Sequence, residues 1–224
     1  MHWVDKDTEI YCSFAKKSGN TGCQMMNTAF RYYKLNKIYK SFSVDDIGQA
    51  VSAVRTLGIK GFAITMPYKR EVLNYVDSVD TSAAMGAANT VLNSNGVLKA
   101  YNTDYMAACD YLSGLAKKDR LYIVGDGGYS AAVQAAASKQ GFEYALITRD
   151  NWQLLGEVEN SIIYNCTPVE KINKSVSGTN TFIDCLVNTP TGKTLATLQA
   201  SYQFSLYTGL KFPLGGQYEK DLFC

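Results

Sequence analysis

The chain has 224 residues, 46% hydrophobic and 19% charged, with a formal net charge of +2. Domains hold roughly 100–200 residues, so this length fits one generous domain or two modest ones of ordinary globular composition. Basic residues are scattered, with Lys-Lys pairs only at 16–17 and 117–118, which excludes nucleic acid as an expected partner, and no apolar run approaches the roughly 18 residues of a membrane helix.

The N-terminus, MHWVDKDTEIYC, carries acids where a signal peptide has its apolar segment, so a cytoplasmic protein is expected. EIYCSF (9–14) and KIYKSFS (37–43) are rich in strand formers, and a helical stretch around 23–35 lies between them. VDDIGQAVSAVRTLG then spaces Ile47, Ala50, Val51, Val54 and Leu57 as one helix face, with acids at its start and Gly58 at its end. IKGFAIT (59–65) reads as a buried strand, and Pro67 suits the first turn of a following helix. Strands separated by helices predict a largely parallel sheet covered on both faces.

TVLNSNGVLKAYN carries a Ser-Asn-Gly turn between apolar segments and reads as a hairpin. A helix from about Asp104 to Ala116 and a junction, AKKDR, follow it. A new unit then begins, running strand, glycine turn, alanine-rich helix, strand over LYIVGDGGYSAAVQAAASKQGFEYALITRD. The expected domains are 1–103, 104–193 and a C-terminal segment, 194–224.

The six cysteines (12, 23, 109, 166, 185 and 224) form no CxxC and no Cys/His cluster. They predict neither a metal site nor a disulfide framework, and read as buried small hydrophobes. The only histidine is His2, which excludes a Ser-His or Cys-His pair and leaves acid–base work to Lys, Asp, Glu or Tyr.

Gly125, Gly127 and Gly128 sit where a strand gives way to a helix. Such a turn lets backbone N–H groups approach a pyrophosphate at the positive end of the helix. A plain tight turn is the alternative. The next strand ends in ITRD, where Arg149 suits the 2′-phosphate of NADP(H) and Asp150 would suit the ribose of NAD(H). The arginine favours NADP(H), with NAD(H) still open.

TMPYK (65–69), AANT (87–90), YNTD (101–104), GDGG (125–128), NCTP (165–168) and LQASYQFSLYTG (198–209) occur in this order. Together they resemble the shikimate dehydrogenase family from about residue 37 onward. The resemblance implies an α/β protein: an N-terminal α/β substrate domain, a Rossmann-like NAD(P)-binding domain, and a C-terminal helix returning to the first domain. It implies NADP(H)-dependent hydride transfer to or from a shikimate- or quinate-like hydroxy acid, by a monomer or homodimer. Lys69 and Asp104 become the catalytic pair, and Thr65, Asn89, Gln199 and Asn20 the substrate ligands. The cofactor set is Gly125, Gly127, Gly128, Tyr129, Thr148, Arg149 and Thr167. A lysine ammonium can hydrogen-bond a ketone oxygen as charge develops there and then supply the proton. The alternative for Lys69 and Asp104 is a surface salt bridge.

Two departures from the family stand out. The serines that usually grip the substrate carboxylate are replaced by Asn20 and Gly22 in SGNTGCQMMN, with Ser18, Thr21 and Lys17 nearby, and a usual tyrosine is Val187. The cofactor half is also short, with 15 residues between Arg149 and Asn165 and eight between Pro190 and Gln199. The pattern is that of a shikimate dehydrogenase-like branch. The trimming keeps a second reading open, a non-catalytic binder of a small hydroxy acid or NADP(H). A third, another dehydrogenase of the same plan, is weakened by the TMPYK and NTD motifs.

Overall fold

The computed structural model describes residues 4–115, 120–170, 172 and 176–213; His2, Cys224 and most of the AKKDR junction lie outside them. The chain forms two compact units, one from 1–103 with 200–224 and one from 104–199. No helix among the described residues is long and apolar enough to cross a membrane.

In the first unit β1 (Glu9–Ala15) lies between β2 (Lys37–Ser43) and β3 (Gly61–Ile64), all three parallel. Helices α1 (Thr21–Tyr32) and α2 (Ile47–Leu57) make the crossovers. Because strand side chains alternate between faces, Cys12, Phe14, Phe62 and Ile64 pack with Ile47, Val51 and Val54 of α2. Tyr11 and Tyr39 pack on the other face with Met25, Met26, Ala29 and Phe30 of α1. Asp46 caps α2 by accepting from Gln49 N at 3.0 Å, and Gly58 ends it at φ 66°, a conformation glycine adopts without Cβ strain. Leu57 departs from the expected stripe: it is exposed at the last turn, where the chain leaves for β3. Helix α1 starts and ends earlier than its composition suggests. Asn20 takes the cap position, and Lys34 turns at φ 52° so that Leu35 N reaches back to Phe30 O at 3.0 Å.

The sheet continues as β2-β1-β3-β5-β6-β4, with β4 (Ser78–Val79), β5 (Thr90–Ser94) and β6 (Val97–Tyr101). It is mixed where a largely parallel sheet was expected, because β5 runs antiparallel to β3 and β6 antiparallel to β5. The cause is the hairpin. Asn95 and Gly96 both take positive φ, 53° and 92°, the two-residue turn whose twist matches paired strands. Pro67 does not open an α-helix either. The Met66–Pro67 peptide is cis, and the chain turns into a short 3₁₀ helix, Glu71–Tyr75. It then runs to β4, with Asp77 N bonded to Leu98 O at 2.9 Å.

The second unit is a four-stranded parallel sheet ordered β10-β9-β7-β8. Its strands are β7 (Leu121–Val124), β8 (Tyr144–Ile147), β9 (Ile162–Asn165) and β10 (Thr181–Asp184). Helices α3 (Thr103–Ser113) and α4 (Gly128–Gln140) supply Ala108, Leu112, Val133, Ala136 and Ala137 to a core with Ile123, Tyr164 and Ile183. The other face carries a smaller cluster of Val124, Ile147, Leu155, Val158 and Ile163. Between β8 and β9 the chain forms only a 3₁₀ helix, Arg149–Gly156. After β10 it passes directly into one helix, α5 (Pro190–Thr208), whose residues from Ala200 belong to the first unit. There Ala200, Phe204 and Tyr207 pack with Tyr11, Phe30 and Tyr39.

Candidate substrate and cofactor sites

The face of the first sheet that packs on α1 and α5 becomes polar toward the carboxyl ends of its parallel strands. One row across the sheet is Tyr39, Tyr11, Gly61 and Leu92. It is apolar and closed: a Cβ on Gly61 would stand 2.7 Å from the Tyr207 ring, and burial pushes the Tyr11 hydroxyl up to about 12. The next row is Ser41, Ser13, Ala63 and Thr90. Ser13 Oγ donates to Ser41 Oγ at 3.0 Å, and Gln203 Nε2 of α5 donates to Thr90 Oγ1 at 3.1 Å. One step further, Ser43 Oγ meets Ser18 Oγ at 3.0 Å.

At this polar end the loops after β1 and β3 are laced together by backbone bonds. Thr65 N donates to Phe14 O at 3.0 Å, Lys16 N to Met66 O at 3.2 Å, and Ala88 N to Lys69 O at 2.8 Å. Ile64 N donates to Asn89 O at 2.8 Å, while Tyr68, itself buried, donates through its hydroxyl to Val44 O at 2.7 Å. These bonds bring Thr65, exposed, and Lys69, half-buried, to the same strand ends as Asn89. Asn89 is buried. Its Oδ1 accepts from Thr103 N at 2.7 Å and from Thr90 Oγ1 at 3.1 Å, and its Nδ2 donates to Thr103 Oγ1 at 3.0 Å. A primary amide carries two N–H donors, so this network engages one and leaves the other for a ligand.

Asn20 is exposed at the start of α1 and makes no side-chain capping bond. Gly22 does not take positive φ, and a Cβ there would lie 3.9 Å from Tyr39 Oη, ordinary contact that a side chain tolerates. Lys16 is bonded to Asp45 at 2.6 Å in solvent, which leaves Lys17 as the exposed cation of this loop.

In the second unit Gly125 takes φ 108°, and a Cβ there would stand 2.8 Å from Thr167 Cγ2. Both facts demand glycine. Gly127 caps α4 with no side chain, and a Cβ would meet nothing within 4 Å. This glycine turn leads into the N-terminus of α4, the kind of helix end at which backbone N–H groups can bind an anion. Thr167 is held by Asn165, whose Oδ1 accepts from Thr167 N at 2.9 Å and Thr167 Oγ1 at 2.8 Å. Asn165 Nδ2 donates to Asp184 Oδ1 at 3.1 Å, and that oxygen also accepts from Leu186 N at 3.1 Å. Asp184 N in turn meets Thr191 Oγ1 at 2.9 Å.

The remaining expected residues are placed as follows. Tyr129 turns its hydroxyl into the core, 3.0 Å from Tyr164 Oη; desolvation raises both phenols well above their usual range. Thr148 caps the 3₁₀ helix within a capping box with Asn151. Arg149 and Asp150 are exposed at its start, Asp104 is buried in the first turn of α3, and Gln199 is half-buried on α5. Sequence reasoning passed over Thr90, Thr103, Gln203 and Asp184. Thr90 and Thr103 stand inside the Asn-Thr pairs it had singled out, but their partners lie across the sheet and on α5. Of the cysteines, Cys12 and Cys109 are buried as expected, while Cys23, Cys166 and Cys185 are half-buried.

Residues 20–91 match the family model of the shikimate dehydrogenase substrate binding domain. A shikimate dehydrogenase-like protein of Haemophilus influenzae is 38% identical over 143 residues, covering 62% of this chain and 53% of that protein. A shikimate dehydrogenase (NADP(+)) of Caldanaerobacter subterraneus is 35% identical over 178 residues, covering 73% of this chain and 61% of that protein. These matches thus span under two thirds of the relatives' own length. The solved structure of a shikimate 5-dehydrogenase-like protein superposes with a TM-score of 0.83 at 27% identity, covering 99% of this chain and 98% of that one. The chain is thus similar to the shikimate dehydrogenases in sequence and in fold, and its residues 20–91 are similar to their substrate-binding domain.

Proposed function

We propose that the protein is an NADP(H)-dependent oxidoreductase acting on a cyclic, shikimate- or quinate-like hydroxy acid. The observation that carries the reading is the convergence of Thr65, Lys69 and Asn89 at one set of strand ends, fixed by backbone bonds. A half-buried ammonium beside an exposed hydroxyl and an amide with one N–H to give suits a polyhydroxylated ring. Lys69 is assigned to hydrogen-bond the ketone oxygen and deliver its proton in the reducing direction. Asp104, a buried carboxylate, is assigned the second acid–base role. Thr65, Asn89 and Gln199 are assigned to substrate hydroxyls, and Asn20 to the acid group.

The glycine turn, Thr148 and Thr167 are assigned to the dinucleotide, with Arg149 to a 2′-phosphate. When bound, the nicotinamide supplies or accepts the hydride. The chain's own part is to hold the ring acid and place a proton at its oxygen. A non-catalytic binder is the second reading, favoured by the single 3₁₀ helix between β8 and β9 and by the direct passage from β10 into α5. Lys69→Ala separates the two. The enzyme reading expects kcat to fall by roughly 10²–10⁴, the usual worth of an acid–base group, with an unchanged thermal melt. Turnover like that of the wild type in this variant would remove Lys69 from the chemistry.

A further inference from the structure

Two cysteines, Cys166 and Cys185, directly follow the carboxyl ends of the paired strands β9 and β10. Asn165 is in register with Asp184, and their side chains bond to each other at 3.1 Å, so both leave the same face of the sheet. Alternation sends the next residue of each strand, Cys166 and Cys185, to the opposite face. That face carries Tyr164 and Ile183, and Cys166 packs against the same cluster. The strands are still joined here, since Cys185 N donates to Asn165 O at 3.2 Å. Neighbouring strands lie about 4.8 Å apart, inside the roughly 4.4–6.8 Å Cα separation a disulfide spans.

The pair borders the glycine turn. Cys185 Sγ donates to Thr167 O at 3.7 Å. The carbonyl carbon and oxygen of Cys166 stand 3.6 Å from where a Cβ of Gly125 would be. Cys12 and Cys109 are enclosed, and burial raises their thiols, which makes them inert. Cys166 and Cys185 are only half-buried.

We infer that Cys166 and Cys185 are a redox-reactive dithiol that closes to a disulfide with a small-molecule disulfide and thereby weakens dinucleotide binding at the adjoining turn. The second clause rests on the dinucleotide reading above; the first does not. One thiolate attacks the reagent, forms a mixed disulfide and releases a thiolate. The other cysteine then attacks the protein-side sulfur and releases the second. The protein loses two electrons and two thiol protons, and the reagent leaves as two thiols.

The test treats the full chain with oxidised glutathione, then maps peptides by mass after alkylation. The expected product is a Cys166–Cys185 cross-link, reversed by dithiothreitol and absent in Cys166→Ser and Cys185→Ser. NADP(H) affinity of the oxidised wild type should fall by about 5- to 150-fold, the usual range of coupling between sites, and recover on reduction. Cys185→Ser should show no such response. Glutathione adducts without the cross-link, or both thiols still alkylated, overturn the dithiol. A cross-link that leaves NADP(H) affinity unchanged overturns the coupling. If the reduced wild type binds no NADP(H), the dinucleotide reading fails, and the dithiol is decided by the peptide map alone.

Discussion

Each unit has a buried asparagine at a strand end, Asn89 just before β5 and Asn165 closing β9, and the two are bonded differently. The side chain of Asn89 is hydrogen-bonded to neutral groups, Thr90 and Thr103, and through Thr90 it is linked to Gln203. Asn165 faces a carboxylate, Asp184, as well as Thr167. The neutral cluster leaves an amide donor free to meet a hydroxyl of a ligand. The charged one is turned inward: Asp184 Oδ1 takes Asn165 Nδ2 and Leu186 N, and holds the loop that packs on Gly125. The same residue type is proposed as a recognition group in one place and acts as a brace in the other. What decides between them is whether its neighbours exhaust its donors.

The sharpest way to break this contrast is to remove the brace. Asp184→Ala removes the carboxylate that accepts from the buried Asn165 Nδ2 and the part-buried Leu186 N, bonds worth about 1.5–3 kcal/mol each. Urea unfolding of the whole chain should register a loss of that order, and NADP(H) affinity should fall with it. Stability like that of the wild type would show that Asp184 braces nothing.

Asn89→Ala is the matching test in the first unit. It removes the Oδ1 acceptor of Thr103 N and of the Thr90 hydroxyl and the Nδ2 donor to the Thr103 hydroxyl, at a cost of about 1–3 kcal/mol. Unlike Asp184→Ala, it should raise the KM for the acid and leave NADP(H) affinity alone. Equal effects on both ligands would erase the distinction between the two asparagines.

A third change sharpens the account of the loop at 18–22. Asn20→Ser with Gly22→Ser puts hydroxyls at the two positions where serines were expected, and Gly22 has both the backbone conformation and the space for a side chain. A hydroxyl bonded to a carboxylate is worth about 1.5–3 kcal/mol, so shikimate affinity should rise by about 10- to 150-fold. If the double variant melts like the wild type and binds shikimate no better, the loop does not face a carboxylate.

The smallest effect belongs to Arg149, exposed at the head of the 3₁₀ helix. Arg149→Ala should erase most of the preference for NADP(H) over NAD(H), a difference of about 1 kcal/mol for an exposed charge pair. Tighter NAD(H) than NADP(H) binding in the wild type would transfer the ribose contact to Asp150.

Sequence made the local features legible and missed those that depend on register. Helix α2 with its Asp46 and Gly58 caps, the Asn95-Gly96 hairpin turn and the glycine turn at Gly125 are each written in a few adjacent residues. The clusters around Asn89 and Asn165 join residues far apart in the chain, Thr90 to Gln203 and Asn165 to Asp184, so no window contains them. Pro67 misled for a related reason. Proline suits the first turn of a helix, but this one lies in a cis turn whose neighbours are bonded to β1 and to Ala88. Tyr129 follows the glycines like a cofactor contact, yet its ring finds Tyr164, a partner visible only once β9 lies beside β7.

The central claim is that the chain reduces or oxidises a cyclic hydroxy acid as well as binding it. Absorbance of the reduced nicotinamide, followed while wild-type protein and NADP⁺ meet shikimate, quinate and related ring acids, tests this most directly. The account predicts NADPH formation with at least one of these acids, in proportion to the acid consumed, and its loss in Lys69→Ala. Saturable binding of the acid and of NADP⁺ with no NADPH formed from any of them would contradict it and leave a binding protein.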